Sequence, residues 1–210
     1  MRGGFLMSSG GLVTALSLQT RPFRVCVTGA ECTGKTSLAN ALGRALDAPV
    51  VHEVARDYFA EKAERGDRSV YASDIVRVVD LQREVEAHAP TEVPLVIFDT
   101  DVLTTAIWQT RYFGERNIEL LKLAHERQSS EATRMDVYLL CEPDIPFEHD
   151  CVRGSSEERD HMHTLFHERL TAEGWPFVRI KGTFDERLAS ALDAVLERAS
   201  LVSAQSPPAR

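Results

Sequence analysis

Residues 23–46, FRVCVTGAECTGKTSLANALGRAL, constrain the fold more than any other part of this chain. Residues Phe23–Thr28 are mostly apolar and rich in β-branched side chains, which predicts a buried parallel strand. Apolar residues then recur at helical spacing from Lys35 to Leu46, which predicts a helix. Between the two elements, residues 29–36 read GAECTGKT and match the G-x-x-x-x-G-K-S/T pattern of a phosphate-binding loop.

Each residue type in this phosphate loop suits a bound nucleotide. Gly29 and Gly34 allow backbone conformations that a Cβ would block, so successive N–H groups can turn toward a phosphate. Lys35 is placed to reach the β- and γ-phosphates, and the Thr36 hydroxyl is placed to bind Mg²⁺. We therefore expect ATP and Mg²⁺ as ligands. The residues expected to contact ATP are Gly29, Glu31, Cys32, Thr33, Gly34, Lys35, Thr36 and Ser37.

The length and charge of the chain limit the function classes. At 210 residues the chain is expected to form one domain, over residues 23–200. Glycines and serines interrupt residues 1–22, which are expected to be a disordered leader with Met7 as an alternative start, and residues 201–210 to be a disordered tail. A net charge of −8 without any basic run argues against a nucleic-acid partner. No run approaches 18 apolar residues, so no membrane span is expected.

The cysteines indicate a reducing compartment. Cys26, Cys32, Cys141 and Cys151 form no C-x-x-C pair and show no metal-ligand spacing. They are expected to be free thiols of a cytoplasmic protein. The sequence leaves the oligomeric state open, a homodimer included.

Strands and helices alternate along the chain. Apolar runs predict strands at residues 23–28, 49–53, 93–98, 135–141 and 177–180. Helical spacing predicts helices at residues 35–46, 54–65, 72–88, 102–112, 117–127, 159–172 and 184–199. This order predicts a parallel sheet with helices on both faces, and ligands bind such sheets at the carboxyl ends of the strands.

Carboxylates follow two of the predicted strands. Asp99 ends the third strand and suits a Mg²⁺ site or a base facing an attacking hydroxyl, with a helix cap as the alternative. Asp101 could bind substrate hydroxyls or cap the next helix. Glu53 ends the second strand and could be a base, a hydroxyl-binding group or a solvated strand end.

The polar segment after the fourth strand has the composition of a mobile lid. Residues 148–159 read EHDCVRGSSEER, with charges of both signs and a single glycine. Arg153 and Arg159 could close on the transferring phosphoryl group, and a salt-bridged surface helix is the alternative. The histidines at 149, 161, 163 and 167 lack the spacing of a zinc site.

Four motifs occur along the chain, TGAECTGKT at residues 28–36, EVARDYF at 53–59, FDTDVLTT at 98–105 and DCVR at 150–153. Together they resemble the ribosylnicotinamide kinase domain of bacterial NadR-type proteins. The resemblance extends from about Phe23 to Ala199. It implies an α/β P-loop kinase-type three-layer fold with a five-stranded parallel sheet of order 2-3-1-4-5.

The resemblance also implies an activity, and it places Glu53 with Arg56 and Asp99 with Asp101 around the acceptor and the metal, and Arg153 in the lid. ATP with Mg²⁺ would be the phosphoryl donor, and nicotinamide riboside would be the small-molecule acceptor, giving nicotinamide mononucleotide. The candidate catalytic residues are Lys35, Asp99, Glu53, Arg153 and Arg159. The candidate substrate-binding residues are Glu53, Arg56, Asp99, Asp101 and Gln82, and the candidate metal ligands are Thr36 and Asp99.

Two substitutions depart from the family pattern. Cys32 stands where relatives usually carry serine. Phe147 stands where they usually carry tryptophan, which changes the side chain expected to stack on the pyridine ring. Two other functions remain open, a kinase for another nucleoside or small alcohol and a nucleotide-dependent regulatory ATPase. A guanine-nucleotide switch is disfavoured because the chain has no N-K-x-D run.

Overall fold

A computed structural model describes residues 19–113, 118–147 and 156–205. The strands in these ranges are β1 (Phe23–Thr28), β2 (Val50–Val51), β3 (Leu95–Asp99), β4 (Val137–Cys141) and β5 (Phe177–Ile180). The helices are α1 (Lys35–Leu46), α2 (Ala55–Glu64), α3 (Ala72–Ala87), α4 (Val102–Phe113), α5 (Ile118–Ser129), α6 (Ser156–Glu173) and α7 (Phe184–Gln205).

The strands form one parallel sheet of order β2-β3-β1-β4-β5, which confirms the predicted fold and strand order. β1 lies at the centre, where Val25 is aligned with Ile97 of β3 and with Val137 of β4. Because all five strands run in one direction, their carboxyl ends meet at one edge of the sheet.

Two apolar layers cover the faces of this sheet. Alternate residues of β1 point to opposite faces, so Val25 and Cys26 belong to different clusters. One cluster packs β1 against α1 and α7, with Leu42 and Val195 fully buried. The other packs the opposite face against α3, α4, α5 and α6, with Phe98 and Phe166 fully buried. The result is the three-layer architecture expected from the near-continuous apolar strands.

Several boundaries differ from the sequence prediction by one to six residues, and two of them change an interpretation. β2 covers only Val50–Val51 rather than residues 49–53. After β2 the Val54 N–H donates to the Gln82 side chain, at Oε1 (3.2 Å), and not to the backbone of a neighbouring strand. α7 continues to Gln205, so residues 201–205 are helical and not part of a disordered tail. The reason is that Ala199 is fully buried and Val202 packs against the same cluster, which extends the apolar face of the helix.

Candidate functional site

The phosphate loop connects the central strand β1 to α1 at the carboxyl edge of the sheet. Gly29 has φ 135°, and a Cβ there would lie 2.9 Å from the Cys141 carbonyl oxygen of β4. Gly34 has φ 78° and directly precedes the first turn of α1, which no side chain caps. Both glycines are therefore required by conformation or space. The uncapped N–H groups of α1 open toward the loop, as anion-binding helix ends do.

Internal hydrogen bonds hold the loop in shape. The Thr33 hydroxyl donates to the Ala30 carbonyl (2.8 Å), and the Lys35 ammonium donates to the same carbonyl (2.7 Å). Thr33 is fully buried and Lys35 half-buried. The lysine thus spans the loop, from which position it can turn its charge to a bound phosphate.

The remaining loop residues differ in what they can offer a nucleotide. The Glu31 carboxylate has one oxygen, Oε2, that is buried without a partner among the described residues. Burial raises the pKa of this carboxyl, against its own backbone N–H and the charge of Lys35, which lower it. A carboxylate repels phosphate, so the Glu31 backbone is the part suited to ATP. Thr36 is half-buried and Ser37 is exposed.

Cys32 departs from the sequence prediction. Cys26 and Cys141 are free and buried, as expected, whereas Cys32 forms a disulfide bond, so the prediction of free thiols is wrong for this residue. Cys32 also has φ 53°, a left-handed conformation uncommon for residues other than glycine.

Asp99 closes β3 beside the phosphate loop. Its strand position is aligned with Val27 of β1, two residues before Gly29. The side chain is only 1% exposed, and Oδ1 has no hydrogen-bond partner within the described part of the chain. Thr100 follows with φ 71°, a strained conformation for a β-branched residue that costs about 1–3 kcal/mol. A buried carboxylate oxygen without a partner fits a hard cation such as Mg²⁺.

Several charged groups of the site act on the pKa of Cys141, at the end of β4. Burial raises the pKa of the Cys141 thiol to about 11. Lys35 and Arg187 lower this pKa, and Asp99 and Asp144 raise it. The lysine of the loop and the carboxylate of β3 are thus both close enough to act on the same buried sulfur.

Glu53 and Arg56 lie at the neighbouring strand end. Val51 is aligned with Phe98, so Glu53, two residues later, follows the sheet edge beside Asp99. Glu53 is half-buried, while Arg56 in the first turn of α2 is exposed. The topology therefore brings both to the edge that carries the phosphate loop.

Gln82 supports this edge from α3 and does not face solvent. It is 3% exposed, its Oε1 accepts the Val54 N–H, and its Nε2 donates to Glu86 Oε1 (3.1 Å). Glu86 in turn pairs with Arg127 of α5. Gln82 thus fixes the backbone directly after Glu53.

Asp101 serves the fold rather than a ligand. It is 1% exposed, and its Oδ1 accepts the Leu103 and Thr104 N–H groups at 3.1 and 3.4 Å. Its Oδ2 accepts the Tyr138 hydroxyl at 2.9 Å. Both oxygens are engaged, which favours the helix-cap alternative over the substrate-binding prediction.

Arg159 lies on α6 and is 7% exposed. Its Nη1 donates to the Ile145 carbonyl (2.9 Å), its guanidinium lies 5.4 Å from the Phe147 ring centre, and its Nε is buried without a partner among the described residues. The surface salt-bridge alternative is thereby wrong for Arg159. Residues 156–159 of the predicted lid form the first turn of α6, and residues 148–155, with Arg153, lie outside the described residues.

A charged cluster joins β4, β5 and α6 near this edge. Glu142 pairs with Arg179 and with His163, whose Nε2 lies 3.1 Å from a Glu142 oxygen. Burial would raise the pKa of Glu142, but the hydrogen bond and the positive charge of Arg179 hold that pKa below its usual value. Burial lowers the pKa of His163, although Glu142 opposes this shift. The histidine is therefore favoured in its neutral form.

Sequence reasoning missed Arg187 on α7. It is 4% exposed and donates to the Thr33 carbonyl of the phosphate loop (2.9 Å). An arginine in the first turns of an amphipathic helix has the pattern of a surface residue, so no local signal distinguished it. The Gly182-Thr183 pair marks a turn before the helix, but it does not single out Arg187.

No group of three or more histidine, cysteine or acidic residues in the described ranges could hold a metal by itself. Among the helices of those ranges, none combines the length and the apolar character that a membrane crossing needs.

Comparison with known proteins agrees with this geometry. The trifunctional NAD biosynthesis/regulator protein NadR of Escherichia coli strain K12 is 26% identical over 186 residues, which cover 85% of this chain and 44% of the relative. A solved structure of NadR protein in complex with NR has a TM-score of 0.64 at 25% identity and covers 85% of this chain and 50% of that one. Deoxyadenosine kinase from M. mycoides with bound dCTP shares the fold alone, with a TM-score of 0.58 at 10% identity over 83% of this chain and 100% of that one.

The chain spans about half the length of the NadR relatives, so its likeness is to one part of those proteins. It confirms the resemblance to a NadR-type kinase domain that the four motifs indicated. A family model described as AAA domain matches residues 24–187, which is more than half of the chain and contains the phosphate loop, Asp99 and Arg187. The chain therefore belongs to this AAA domain family.

Proposed function

We propose that the protein is an ATP-dependent kinase that phosphorylates the ribose 5′-hydroxyl of nicotinamide riboside to give nicotinamide mononucleotide. The observation that carries the proposal is the buried Asp99 carboxylate at the strand end beside the phosphate loop. A phosphate loop and a carboxylate at neighbouring strand ends are the groups that phosphoryl transfer requires. The choice of acceptor is supported by the likeness to the NadR structure in complex with NR.

The residues divide the chemistry among them. The loop N–H groups and the Lys35 ammonium hold the triphosphate of ATP, and the charge of Lys35 offsets the charge that develops on the transferring group. Thr36 and Asp99 would hold Mg²⁺, and the partnerless Asp99 oxygen fits that role. Mg²⁺, when bound, supplies charge neutralisation at the phosphate oxygens.

The transfer itself needs one proton acceptor. The ribose 5′-oxygen attacks the γ-phosphorus, its O–P bond forms while the bond to the β-phosphate oxygen breaks, and ADP leaves. The hydroxyl proton passes to Asp99 or to Glu53, both at the acceptor side of the sheet edge. Arg159 stands at the base of the predicted lid, and we propose that Arg159 and Arg153 add positive charge there. Gln82 holds the Glu53 turn in place.

Acceptor binding is proposed to involve Glu53 and Arg56. A carboxylate and a guanidinium at one edge suit the hydroxyls of a ribose. Phe147 does not present both ring faces to a pyridine, because the Arg159 guanidinium lies over one of them. A small nucleoside in the cytoplasm, where ATP is plentiful, is the proposed partner.

Turnover with a panel of acceptors tests the proposal. With Mg-ATP, nicotinamide riboside should give the highest kcat/KM among ribonucleosides, deoxynucleosides and small alcohols. A higher value for another nucleoside would assign a different acceptor. Slow ATP hydrolysis that no acceptor stimulates would instead indicate a regulatory ATPase.

A further inference from the structure

Arg187 connects four segments of the chain around the phosphate loop. Its Nε donates to the Gly182 carbonyl (2.9 Å) and its Nη1 to the Thr33 carbonyl (2.9 Å). Its Nη2 donates to the Glu142 carbonyl (2.9 Å) and also contacts the Asp144 carboxylate. Burying a guanidinium to this degree is costly unless its donors are satisfied, and here each nitrogen has an acceptor.

The bond to Thr33 fixes an N–H group of the phosphate loop. A trans peptide is planar, so the Thr33 carbonyl and the Gly34 N–H point in opposite directions. Arg187 holds the carbonyl on the α7 side, so the Gly34 N–H points away from α7. A charged donor on the carbonyl also polarises the peptide and strengthens the N–H as a donor.

This restraint matters because Gly34 has little conformational preference of its own. Glycine populates positive and negative φ about equally, so the observed φ of 78° needs support from its surroundings. The Thr33 hydroxyl and Lys35 bonds both end on the Ala30 carbonyl, and the Leu38 N–H bond ends on the Gly34 carbonyl, so none of the three contacts the Thr33–Gly34 peptide itself. Among the described contacts, Arg187 is the group that holds that peptide plane.

The Nη2 atom of Arg187 links the β4–α6 connection to the phosphate loop through Glu142 and Asp144. Asp144 Oδ2 accepts the Gly182 N–H (2.7 Å), so Arg187, Asp144 and Gly182 form a closed set of contacts. Ile145, the next residue, lies within 3.6 Å of the position a Gly34 Cβ would take, and its carbonyl accepts from Arg159. Ile145, just before the predicted lid, therefore packs beside the Thr33–Gly34 peptide.

We propose that Arg187 is a positioning residue that presets the Thr33–Gly34 peptide for the phosphates of ATP. The proposal rests on the proposed kinase function and deepens it, because it names a residue outside the loop that governs nucleotide affinity. Arg187 acts through the peptide and the β4–α6 connection and does not itself touch the nucleotide.

A set of variants separates this role from simple stabilisation of α7. Arg187→Met removes the donors, Arg187→Lys keeps the charge without the planar fork, and Asp144→Asn removes the anchoring charge from a side chain that is 39% exposed. Arg198→Met is the matched control. Arg198 lies on the same helix, and its Nε donates to the Asp136 carbonyl at 3.0 Å, at the end of β4 that is opposite the phosphate loop. The measurements are the Kd for Mg-ATP by calorimetry, the KM of each substrate, and thermal melting.

Arg187→Met should bind Mg-ATP about tenfold to a hundredfold more weakly, as expected for the loss of charge-assisted hydrogen bonds that shape a site. Its KM for ATP should rise by a similar factor while the KM for the acceptor stays near the wild-type value. Arg187→Lys should recover part of the affinity, and Asp144→Asn should show a smaller loss. Arg198→Met should bind ATP like the wild type.

Wild-type ATP affinity in folded Arg187→Met would overturn the proposal, as would an equal loss in Arg198→Met. If Arg187→Met does not fold, wild-type ATP affinity in Arg187→Lys and Asp144→Asn would overturn it. ATP binding without formation of nicotinamide mononucleotide would refute the acceptor assignment. The Kd for Mg-ATP would still test the role of Arg187, because it does not depend on the acceptor. A wild-type protein that does not bind Mg-ATP would refute both.

Discussion

Replacing Asp99 with asparagine should stabilise the ligand-free protein while abolishing most of its activity. Asp99 is 1% exposed and its Oδ1 has no partner among the described residues. An unsatisfied buried polar group costs about 1–3 kcal/mol, and more when it is charged. Asp99→Asn keeps the shape and removes the charge, so the free energy of unfolding should rise by about 1–3 kcal/mol.

That gain converts into a measurable shift in melting temperature. A domain of this size gains about 2–4 °C per kcal/mol, so Asp99→Asn should melt several degrees above the wild type without nucleotide and with a chelator present. Turnover should fall by about 10²–10⁴-fold, because the carboxylate is needed for the metal or for the proton. The Kd for ATP measured without metal should change little, since the loop N–H groups and Lys35 remain.

Asp101→Asn is the matched control, two residues away and equally buried. The carboxylate of Asp101 accepts from two backbone N–H groups and from the Tyr138 hydroxyl, so its replacement should lower the melting temperature. A higher melting temperature in Asp99→Asn and a lower one in Asp101→Asn would support the distinction between a ligand-binding and a structural carboxylate. Lower melting of Asp99→Asn together with full turnover would refute the reasoning.

Three further variants test other parts of the account. Lys35→Ala should lose phosphoryl transfer and retain its melting temperature, because the half-buried ammonium serves charge and not packing; wild-type turnover would contradict the loop assignment. Gln82→Met should leave the Val54 N–H without its acceptor, which should destabilise the protein by about 1–3 kcal/mol and raise the KM of the acceptor. Burial lowers the pKa of His163 in the folded state, so its contribution to stability should be complete above the ordinary histidine pKa and should be lost as the pH falls toward the lower folded-state pKa. Denaturant titrations should show this loss, His163→Gln should reduce it, and an equal slope in both proteins would exclude His163 as its source.

The sequence was sufficient for the fold because the local signals agreed. Phe23–Thr28 and Phe177–Ile180 are strands with the predicted bounds, since each apolar run is flanked by residues that end it. The strand order followed from the resemblance of four motifs and not from periodicity. The carboxyl-edge position of Asp99 and Glu53 followed from the parallel sheet alone.

What the sequence could not provide depends on contacts between distant segments. Asp101 accepts a hydrogen bond from Tyr138, which is 37 residues away in the sequence. A sequence pattern cannot show whether such a carboxylate caps a helix or binds a ligand. Arg187 reaches the Thr33 carbonyl across 154 residues. Long-range hydrogen bonds of this kind carry no periodic signature, so helical spacing alone places such a residue on the surface.

The stoichiometry of the reaction tests the central claim most directly. The wild-type protein with Mg-ATP and nicotinamide riboside should form ADP and nicotinamide mononucleotide in equal amounts, separated by chromatography and identified by mass. Lys35→Ala and Asp99→Asn should form neither product at a comparable rate. ADP formation without a phosphorylated nucleoside, or equal product from Lys35→Ala, would contradict the proposed kinase.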